Sequence, residues 1–337
     1  MKKLLTIAIC FLCHSAYAQS PAQFFQSMFS AAPREAAGGG AWTPVYNPWW
    51  TPIFSASNAP APYNISVSID EGASYTGWKS FDNVFSTWWS QPNKNLPIWL
   101  LFDCGETNYQ TVRQLSWWNH NTAYGSMAVS LSNSIDGTTW TEVLNATSAN
   151  STVIMQAFEV PNPTPGRYFR FVTYAAYNTN YCYRDEIEMS SAMLLPAMTG
   201  NTNGAYIVTA SSQQTDSYSP YQAFDRSRLK GWRSHLMAAT NEPEWLKIDL
   251  GTARVVNHYS MWNVEPSSGP CSASLDGSND DSNWTVLHSN NFANIHINPQ
   301  ICTFTNTTPY KWYRFYIYNT YSINVVCLGE LRLYPFE

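Results

Sequence analysis

The sequence contains one cassette twice, and this duplication constrains the fold more than any other feature. The clearer copy covers residues 221–251, with an aromatic residue before Asp225, a tryptophan seven residues later, a second tryptophan, and an apolar stretch ending in Asp-Leu-Gly. Residues 78–105 repeat this order, with Asp82 at the place of Asp225. The copies lie roughly 145 residues apart, whereas solenoid repeats are about 20–50 residues long. The repeat therefore predicts a duplicated domain.

Length and composition agree with two all-β domains. A chain of 337 residues is long enough for about two ordinary domains. Aromatic residues make up 15% of the chain and charged residues only 12%, which is unlike the charge-rich, aromatic-poor composition of disordered chains. Many turn-forming residues and the lack of a long helical period favour β-structure.

The first residues have the features of a secretory signal peptide. Lys2 and Lys3 precede an apolar run over residues 4–12, and Ala-Tyr-Ala at residues 16–18 provides a small-x-small cleavage site. The run is too short to cross about 30 Å of hydrocarbon. We therefore predict a signal peptide over residues 1–18 and a secreted, extracellular protein, free or associated with the cell surface.

Net charge argues against two classes of partner. The chain carries a net charge of −5 at pH 7 and has no basic run, so nucleic acid is a poor partner. An acidic protein is also repelled by anionic membranes. Phospholipid binding is the weakest alternative, based on an apolar spike at residues 236–239 with nearby basic residues: Arg226, Arg228, Lys230 and Arg233.

Five cysteines follow the signal peptide: Cys104, Cys182, Cys271, Cys302 and Cys327. Export permits disulfides, and one pair within each copy is compatible with the sequence. The odd number leaves at least one thiol free or paired between chains, and the pairing stays open. Because Cys-x-x-Cys does not occur and the histidines are scattered, no zinc site is predicted.

Both copies carry the same succession of short strands. The matching pairs of segments are 63–68 with 206–211, 112–119 with 255–263, 128–144 with 273–287, 167–175 with 311–319, and the terminal strands with Glu186 and Glu330. Short strands separated by turn-rich loops predict a β-sandwich or barrel. We place domain 1 at residues 59–192, a linker at 193–203 and domain 2 at 204–337.

Residues 19–58 are rich in proline, tryptophan and tyrosine. Proline disfavours both helix interiors and central strands, so we predict a semi-extended leader or linker. The alternative is a docking segment over residues 24–54, whose Trp42, Trp49 and Trp50 pack on a protein partner or on the first domain.

The order of these motifs resembles the discoidin, or coagulation-factor C-type, domains and the related galactose-binding-like carbohydrate-binding modules. The shared motifs are the aromatic-Asp start, the tryptophan seven residues later, P-x-W-x-x-x-D-x-G, S-x-D-x-x-x-W, an aromatic-aromatic-Arg-aromatic strand and a terminal Glu strand. The resemblance implies an eight-stranded jelly-roll sandwich in each copy, with binding loops at one end. Members of this group bind glycans, anionic phospholipids or proteins, and none is an enzyme through this domain alone.

The resemblance also implies a structural Ca²⁺ site in domain 1. Many glycan-binding members hold the ion with the cassette Asp, a nearby Thr or Ser, carbonyl oxygens and the terminal Glu. These correspond to Asp82, Thr87 and Glu186. The alternative is that the two carboxylates only cap loops. In the second copy Lys230 replaces Thr87, and its ammonium repels a cation or itself bridges the carboxylates.

Sugars are held by an aromatic face and a few convergent polar groups, and loop residues of both copies offer these. The candidates in domain 1 are Trp88, Trp118, Asn119, His120, Tyr124, Tyr177, Asn178 and Tyr181. Those in domain 2 are Arg233, His235, Asn263, Glu265, Asn319 and Tyr321. Ser90 and Arg233 stand where many glycan-binding relatives have a histidine, which argues against galactose-type recognition.

Other matched residues are interpreted as structural. Core packing explains Trp89, Trp99, Trp232 and Trp245, because large rings fill a sandwich interior. Asp103 and Asp249 end their strands as turn residues. Arg170 and Arg314 lie between aromatic residues, where a buried pair with an acid is expected.

The histidines match no nucleophile motif, and the two copies leave no room for a separate catalytic domain. We therefore predict a secreted, non-enzymatic adhesion or carbohydrate-binding protein that recognises a cell-surface or matrix glycan through two loop-end sites of unequal specificity. Two weak sites gain avidity through effective concentration. The alternative is a protein-interaction or structural module of a surface assembly.

Overall fold

The computed structural model describes residues 50–92, 96–120, 124–151, 154–178, 180–227, 229–235, 243–265, 267–296, 298–321 and 325–336. The predicted signal peptide, most of the leader with Trp42 and Trp49, and the predicted spike at 236–239 lie outside these residues. Residues Val45–Glu337 form one compact unit that contains two β-sandwiches. Within the described ranges, no helix is long and apolar enough to cross a membrane.

We call the sandwich that contains residues 54–190 module one. Its five-stranded antiparallel sheet has the order β1-β3-β10-β6-β7 and faces a three-stranded sheet of order β12-β5-β8. Two short pairs, β2 with β11 and β4 with β9, complete it. The strands are β1 Asn64–Val67, β2 Trp89–Pro92, β3 Ile98–Asp103, β4 Gln110–Thr111, β5 Gln114–Trp117, β6 Ser126–Ser134, β7 Thr141–Thr147, β8 Gln156–Glu159, β9 Pro165–Gly166, β10 Tyr168–Ala176, β11 Tyr181–Arg184 and β12 Ile187–Ser190.

Module two, residues 198–336, repeats this arrangement with one difference. Its strands are β13 Thr202–Asn203, β14 Tyr206–Ala210, β15 Trp232–Arg233, β16 Glu244–Trp262, β17 Pro270–Ser278, β18 Thr285–Asn291, β19 Gln300–Thr303, β20 Tyr310–Thr320, β21 Cys327–Leu328 and β22 Glu330–Phe336. Strand β16 is long enough to join both sheets, pairing first with β20 and then with β19 and β22. The corresponding stretch of module one is divided into β3, β4 and β5. The two sandwiches in tandem confirm the predicted all-β fold.

Each cassette begins with a 3₁₀-helix, Gly77–Phe81 in module one and Pro220–Phe224 in module two; a further short one spans Asp216–Tyr218. The leader and linker enter their modules in the same way, because the Phe54 amide donates to the Phe81 carbonyl at 2.8 Å and the Met198 amide to the Phe224 carbonyl at 2.9 Å. Phe54 is buried in the core of module one. The described structure therefore includes residues 50–58 of the predicted leader.

Two of the four cassette tryptophans are buried in the cores, and the other two are not. Trp89 and Trp232 are buried at 1% and 0% exposure, as predicted. The core assignment of Trp99 and Trp245 is wrong, because both are only partly buried and lie on the outer face of their sheet. Side chains alternate between the two faces of a strand, and in β3 the inward positions belong to Ile98, Leu100 and Phe102. Lys247 lies 5.3 Å from the Trp245 ring.

The paired arginines differ between modules. Arg314 donates to Asp276 at 2.7 Å, and this carboxylate side chain is 2% exposed, as predicted. The acid partner predicted for Arg170 is wrong, since Ser132 stands opposite it on β6. The Arg170 guanidinium lies 4.1 Å from the centre of the Trp140 ring instead, and Trp284 takes the same place beside Arg314 at 4.3 Å.

The Asp-x-Gly aspartates close turns, as predicted. Asp103 Oδ1 accepts from the Gly105 amide at 2.8 Å, and Asp249 Oδ1 accepts from the Gly251 amide at 2.7 Å. Burial raises the pKa of the Asp103 carboxyl, but two hydrogen bonds from Arg167 and one from the Gly105 amide outweigh this effect and hold the pKa below its usual range.

All five cysteines are free thiols, so the intramodule disulfides that the sequence allowed do not form. Each sulfur has its own surroundings: Cys104 is in the core of module one, Cys182 lies 3.3 Å from Ser126 Oγ, and Asn290 donates to Cys302. Burial raises the pKa of the Cys327 thiol to about 11.

The two modules meet through equivalent segments. Asn83 donates to the Pro299 carbonyl at 3.2 Å, and in the equivalent half of the contact the Met155 amide donates to the carbonyl of Arg226 at 3.0 Å. Asn83 and Arg226 follow the cassette aspartates, and residues 155 and 299 precede the matched strands β8 and β19. The contact is therefore built like an isologous dimer interface, in which one patch meets its own equivalent.

An aromatic cluster fills this interface. Phe85 packs edge-on against Trp118 and Trp262, with ring centroids 4.9 Å and 4.6 Å apart. From the leader, Trp50 bridges to Ser190 of module one and stacks on His258 of module two at 3.8 Å. Trp50 thus contacts both modules, whereas the sequence prediction placed it on the first module or on a partner.

Candidate functional site

Aromatic side chains gather at the loop end of module one, where β2 and β11 pair. The rings of Trp88 and His120 stack with centroids 3.8 Å apart and an interplanar angle of 21°. Tyr183 lies 6.1 Å from each of them, and Tyr124 packs on Tyr183 at 4.6 Å. Tyr181 completes the group at 5.8 Å from Tyr183. We call these five residues the aromatic platform.

Polar groups fix the geometry of the platform. His120 Nδ1 lies 2.6 Å from Asp185 Oδ1, and the aspartate side chain is 2% exposed while the histidine is 23% exposed. A buried carboxylate that binds one ring nitrogen orients the imidazole and leaves its other nitrogen for a ligand. Ser90 donates to Glu71 beside Tyr183, and desolvation together with the Glu71 charge raises the pKa of the Tyr183 hydroxyl. Tyr183 therefore stays a neutral donor and acceptor at physiological pH.

The remaining predicted residues of module one have structural surroundings. Asn119 is fully buried, and its Oδ1 accepts from the Ser126 amide at 3.1 Å. Tyr177 donates to the Ser148 carbonyl, and Asn178 accepts from the Asn180 amide at 2.6 Å in the turn before β11. These residues shape the loops around the platform.

Trp118 does not lie with the platform. It is 1% exposed, with Phe85 at its edge and the Arg332 guanidinium 4.4 Å from its ring centre. Its sequence position directly before Asn119 suggested a loop residue, but it points into the interface between modules. A glycan at the loop end therefore cannot contact it.

The loop end of module two is built from charged groups. Arg233 binds Glu265, whose side chain is 44% exposed, and its guanidinium lies 4.7 Å from the Tyr218 ring. Desolvation lowers the pKa of Arg233, but the neighbouring Cys327 and the hydrogen bond to Glu265 outweigh it and the pKa is raised. His235 is exposed, and its amide donates to Ser212 Oγ at 3.0 Å. Arg233 and Glu265 are the predicted residues that this end brings together.

The other predicted residues of module two lie apart from that ion pair. Asn263 is 1% exposed and donates to the Ile295 carbonyl at 3.2 Å, so it is a structural counterpart of Asn119. Asn319 donates to Ser272 at 3.0 Å, and Tyr321 donates to the Phe292 carbonyl. The Asn263 contact fixes a loop, and the Asn319 contact joins two paired strands.

The predicted metal residues of module one converge. Thr87 Oγ1 donates to Asp82 Oδ2 at 2.6 Å, and the Val84 amide donates to Asp82 Oδ1 at 2.9 Å. Glu186 is buried, and its Oε2 has no hydrogen-bond partner among the described residues. Desolvation and then the Asp82 charge raise the pKa of Glu186 well above its usual value. An unpartnered buried carboxylate oxygen beside a second carboxylate and a hydroxyl suits a hard cation.

Protein carboxylates alone do not make a complete metal cage here. Among the described residues, no three His, Cys, Asp or Glu side chains lie close enough to hold a metal ion. Calcium takes about six to eight oxygens, and carbonyls and waters supply many of them. The donor set of Asp82, Thr87 and Glu186 therefore fits calcium with backbone and water oxygens added, and does not fit zinc.

In the equivalent region of module two, arginine charges act on the terminal glutamate, Glu330. The amide of Arg226 donates to Glu330 Oε1 at 3.2 Å, and the charges of Arg332 and Arg226 oppose the rise in the pKa of Glu330 that desolvation causes. Lys230 is exposed and makes no ion pair with a described residue, so the predicted bridging by Lys230 is wrong. Arginine side chains provide the positive charge that a metal would supply.

Sequence reasoning missed Tyr183, Tyr75 and Asp185. Tyr181 and Tyr183 are two residues apart in a strand, so they share a face, and this period was the available signal. Tyr75 packs on Trp88 at 5.5 Å from a distant loop. Asp185 carries no local signal, because only the fold brings it to His120.

A model of the F5/8 type C domain family matches residues 55–187 and 207–328, which together cover most of the chain. No protein of curated function matches the sequence.

Solved structures of similar fold include single and tandem modules. One is a selenomethionine-labelled mutant of the chitosan-binding module 1 of a chitosanase/glucanase from Paenibacillus sp. IK-5, with 25% identity, a TM-score of 0.33, and coverage of 38% of this chain and 92% of that one. Another is the CBM32 of AlyQ with 4,5-unsaturated mannuronic acid, at 22% identity, a TM-score of 0.33, and coverage of 37% and 92%. The CBM32-1 and CBM32-2 domains of Clostridium perfringens ZmpB match at 11% identity, a TM-score of 0.33, and coverage of 81% and 91%.

Proposed function

The chain belongs to the F5/8 type C domain family, and from this premise we propose that it is a secreted, non-enzymatic protein that binds a cell-surface or matrix glycan through the loop end of module one. The observation that supports this most is the aromatic platform with its oriented histidine. Ring faces of Trp88 and Tyr183 suit the apolar C–H face of a sugar, and the His120 imidazole and tyrosine hydroxyls suit its hydroxyl groups.

The surroundings of the platform favour binding over catalysis. The buried Asp185 holds His120, but the described residues within this group include no serine or cysteine placed as a nucleophile next to that histidine. A glycosidase needs two carboxyl groups flanking the bond, whereas of the two carboxyl groups beside the platform Asp185 is buried against His120 and Glu71 accepts a hydrogen bond from Ser90. A site of this kind contributes adhesion.

Calcium is part of the proposal as a structural ion. Asp82, Thr87 and Glu186 would hold it at the start of the module-one cassette, where it would neutralise two carboxylates. Asn83 and Phe85 of the same loop contact residues 298–299 of module two. We therefore expect calcium to stabilise the fold and the interface, and to act on glycan binding only indirectly.

A second candidate function rests on module two. The partly exposed Arg233–Glu265 pair on Tyr218 offers polar and charged groups with a single aromatic ring, which suits a protein partner better than a sugar ring. This loop end would make the protein an adaptor in a surface assembly. Within the docking segment predicted over residues 24–54, Trp50 and Phe54 pack inside this chain, so a protein partner is proposed for residues 24–49 only.

A glycan array tests the proposal. The chain from residue 19 onward is applied with calcium and again with a chelator, beside the Trp88→Ala/His120→Ala double variant. We expect selective binding by the native chain and loss of that binding in the double variant. A blank array with folded protein, or equal binding by the double variant, would contradict a glycan site at the platform.

A further inference from the structure

The outer face of the large sheet in module two carries aromatic rings, although the solvent-facing side of an antiparallel sheet is usually polar. Tyr316 and Tyr318 flank the buried Ile317 on β20, so both rings point to the outer face. Their ring centroids lie 5.2 Å apart. Trp245 of β16 is the cross-strand partner of Tyr316, and Tyr318 is 42% exposed. We call Trp245, Tyr316 and Tyr318 the outer-face rings.

Arg314 holds one of these rings in place. Its guanidinium lies 4.6 Å from the centre of the Tyr316 ring and 4.3 Å from that of Trp284. The ion pair with the buried Asp276 fixes the guanidinium in turn. Because Tyr316 is already ordered by these contacts, a ligand that stacks on it loses little free energy to side-chain ordering.

A shallow groove of about 360 Å³ runs from Tyr318 across β17 and β18. Apart from Ala273, the side chains that line it carry hydroxyl or amide groups and no charge: Ser272, Ser289, Asn290, Asn291 and Tyr318. Hydroxyl and amide groups both donate and accept hydrogen bonds, as the hydroxyl groups of a sugar do. The groove therefore offers hydrogen bonds next to an exposed ring face, the combination of groups that a sugar site needs.

The charges near the rings are neutralised within the chain. Three basic side chains of this face are paired with carboxylates: Lys247 with Asp281 at 2.6 Å, Lys311 with Asp249 at 3.3 Å, and Arg314 with Asp276 at 2.7 Å. An anionic ligand would have to compete with these carboxylates, and a cationic ligand with the basic groups. The face therefore favours a ligand that is neutral.

The composition of the groove distinguishes a sugar from a protein partner. Aromatic residues and arginine are enriched in protein–protein interfaces, but serine is depleted there. Ser272 and Ser289 line the groove, and Ser274 lies 3.1 Å from the Tyr318 hydroxyl. Small hydroxyl side chains beside flat rings suit the hydroxyl groups and the C–H face of a neutral sugar better than they suit a protein surface.

Module one repeats the frame of this face without the pair of tyrosines. Tyr174 corresponds to Tyr318 and is 49% exposed, and Ser130 donates to its hydroxyl at 3.4 Å. Val172 stands where module two has Tyr316. Tyr174 therefore lacks the neighbouring tyrosine that Tyr318 has, and module one supplies a matched control within the same chain.

We propose that the outer face of module two binds a neutral, linear glycan along β20, with sugar rings stacked on Tyr316 and Tyr318 and hydroxyl groups in the groove. Alternate residues of a strand are about 7 Å apart, so the two tyrosines suit a chain of several sugars rather than a single one. The proposal is independent of glycan binding at the aromatic platform, since every residue of the platform lies in module one.

The test uses the full chain with the platform disabled by Trp88→Ala/His120→Ala. Titration calorimetry is recorded with neutral hexasaccharides of glucose, xylose, mannose and N-acetylglucosamine, with the corresponding disaccharides, and with hexagalacturonate as a charged probe. We expect at least one neutral hexasaccharide to bind, its disaccharide to bind roughly tenfold more weakly or worse, and hexagalacturonate not to bind. Hexagalacturonate binding as strong as that of the neutral chains would contradict a neutral ligand.

Two variants and one control locate the site on the sheet. Tyr316→Val introduces the residue that module one has at this place, and Tyr318→Ala removes an exposed ring, so both variants should fold. We expect each to weaken hexasaccharide binding by roughly tenfold or more. Tyr174→Ala, the matched control in module one, should leave the affinity unchanged.

No binding of any neutral hexasaccharide to the folded platform-disabled chain would overturn the proposal. Native affinity in Tyr316→Val and Tyr318→Ala would overturn it as well. A dimer that forms without sugar binding and that Tyr318→Ala dissociates, measured by sedimentation, would assign this face to a second copy of the chain instead. Undiminished array binding by the platform-disabled chain that Tyr316→Val then abolishes would contradict only the platform site.

Discussion

The two loop ends differ more than any other equivalent regions of the molecule. His120 and Tyr183 of module one correspond to Val264 and Cys327 of module two, so one end has stacked rings where the other has an aliphatic side chain and a buried thiol. Module two places Arg233 and its ion pair there. The sandwich beneath is the same in both, with a buried tryptophan at the start of β2 and of β15. The β-sandwich tolerates different residues in its loops, and function depends on the site that these loop residues form.

At the interface between the modules, fewer equivalent residues differ than at the loop ends. Asn83 replaces Arg226, and Glu188 replaces Arg332. The first exchange leaves a cavity, and the second places a carboxylate opposite a guanidinium, since the Arg332 charge lowers the pKa of Glu188 against the larger effect of desolvation. The asymmetry within this pseudo-symmetric contact leaves a cavity of about 350 Å³ between the modules.

The largest expected effect is a difference in unfolding free energy between a substitution at the interface and one at the platform. Trp118→Ala removes a fully buried ring, which should lower the free energy of unfolding by about 3–5 kcal/mol. Trp88→Ala removes a partly exposed ring and should cost less than about 1.5 kcal/mol. Urea unfolding of both variants measures the difference. Equal losses would mean that Trp118 does not pack between the modules.

The next effect compares the outer faces of the two sandwiches. Arg314→Met leaves the buried Asp276 carboxylate without its guanidinium and should cost about 2 kcal/mol, less than for a fully buried pair because Arg314 is partly exposed. Arg170→Met loses only its contact with Trp140, about 0.5–1 kcal/mol. Thermal unfolding of both variants, with Ser132→Ala as a control, checks the order. The reverse order would contradict the assignment of Asp276 as the partner.

Substitution of the cassette Asp225 is expected to have a smaller effect than Arg314→Met, and it is the only one of these substitutions with a stabilising sign. Burial raises the pKa of Asp225 to about 6, so between the unfolded pKa and pH 6 the folded state binds more protons and stability falls as pH rises. A rise in pKa from 3.8 to about 6 corresponds to about 3 kcal/mol, and solvent screening of this partly exposed carboxylate reduces the cost at pH 7 to about 1–2 kcal/mol. Asp225→Asn should recover that stability at pH 7 and gain little at pH 4.

The matched variant in module one, Asp82→Asn, should differ from Asp225→Asn in its response to calcium. Asp82→Asn should abolish any rise in melting temperature that calcium produces in the native chain, since ligand binding to the folded state stabilises it by mass action. Calorimetric scans with calcium and with chelator compare the two variants. A calcium response lost in Asp225→Asn but kept in Asp82→Asn would assign the ion to module two.

The fold was predictable because its signals are local and doubled. The Asp-x-Gly turns, the alternating strands and the two cassettes each appear twice in the sequence, and each copy supports the interpretation of the other. Burial of Trp89 and Trp232 follows from their place in the cassette. The predicted burial of Trp99 and Trp245 was wrong because it relied on ring size, whereas strand alternation places both side chains on the outer face.

The site was predictable only in part, because it depends on which side chains the fold brings together. Trp88, His120, Tyr124 and Tyr181 were recognisable as loop aromatics. Trp118 was assigned to the same loop, since the sequence does not show that a second module covers it. Asp185 and Asn83 acquire their roles from residues far away in the chain, His120 and Pro299 respectively.

Titration calorimetry with one array-selected glycan tests the central claim most directly. The native chain is compared with Trp88→Ala and with Arg233→Ala, which alter the two loop ends separately. We expect Trp88→Ala to weaken binding by roughly thirtyfold, as for a hot-spot residue worth about 2 kcal/mol, and Arg233→Ala to leave it unchanged. Loss of binding in Arg233→Ala with native affinity in Trp88→Ala would show that module two, and not the aromatic platform, holds the glycan.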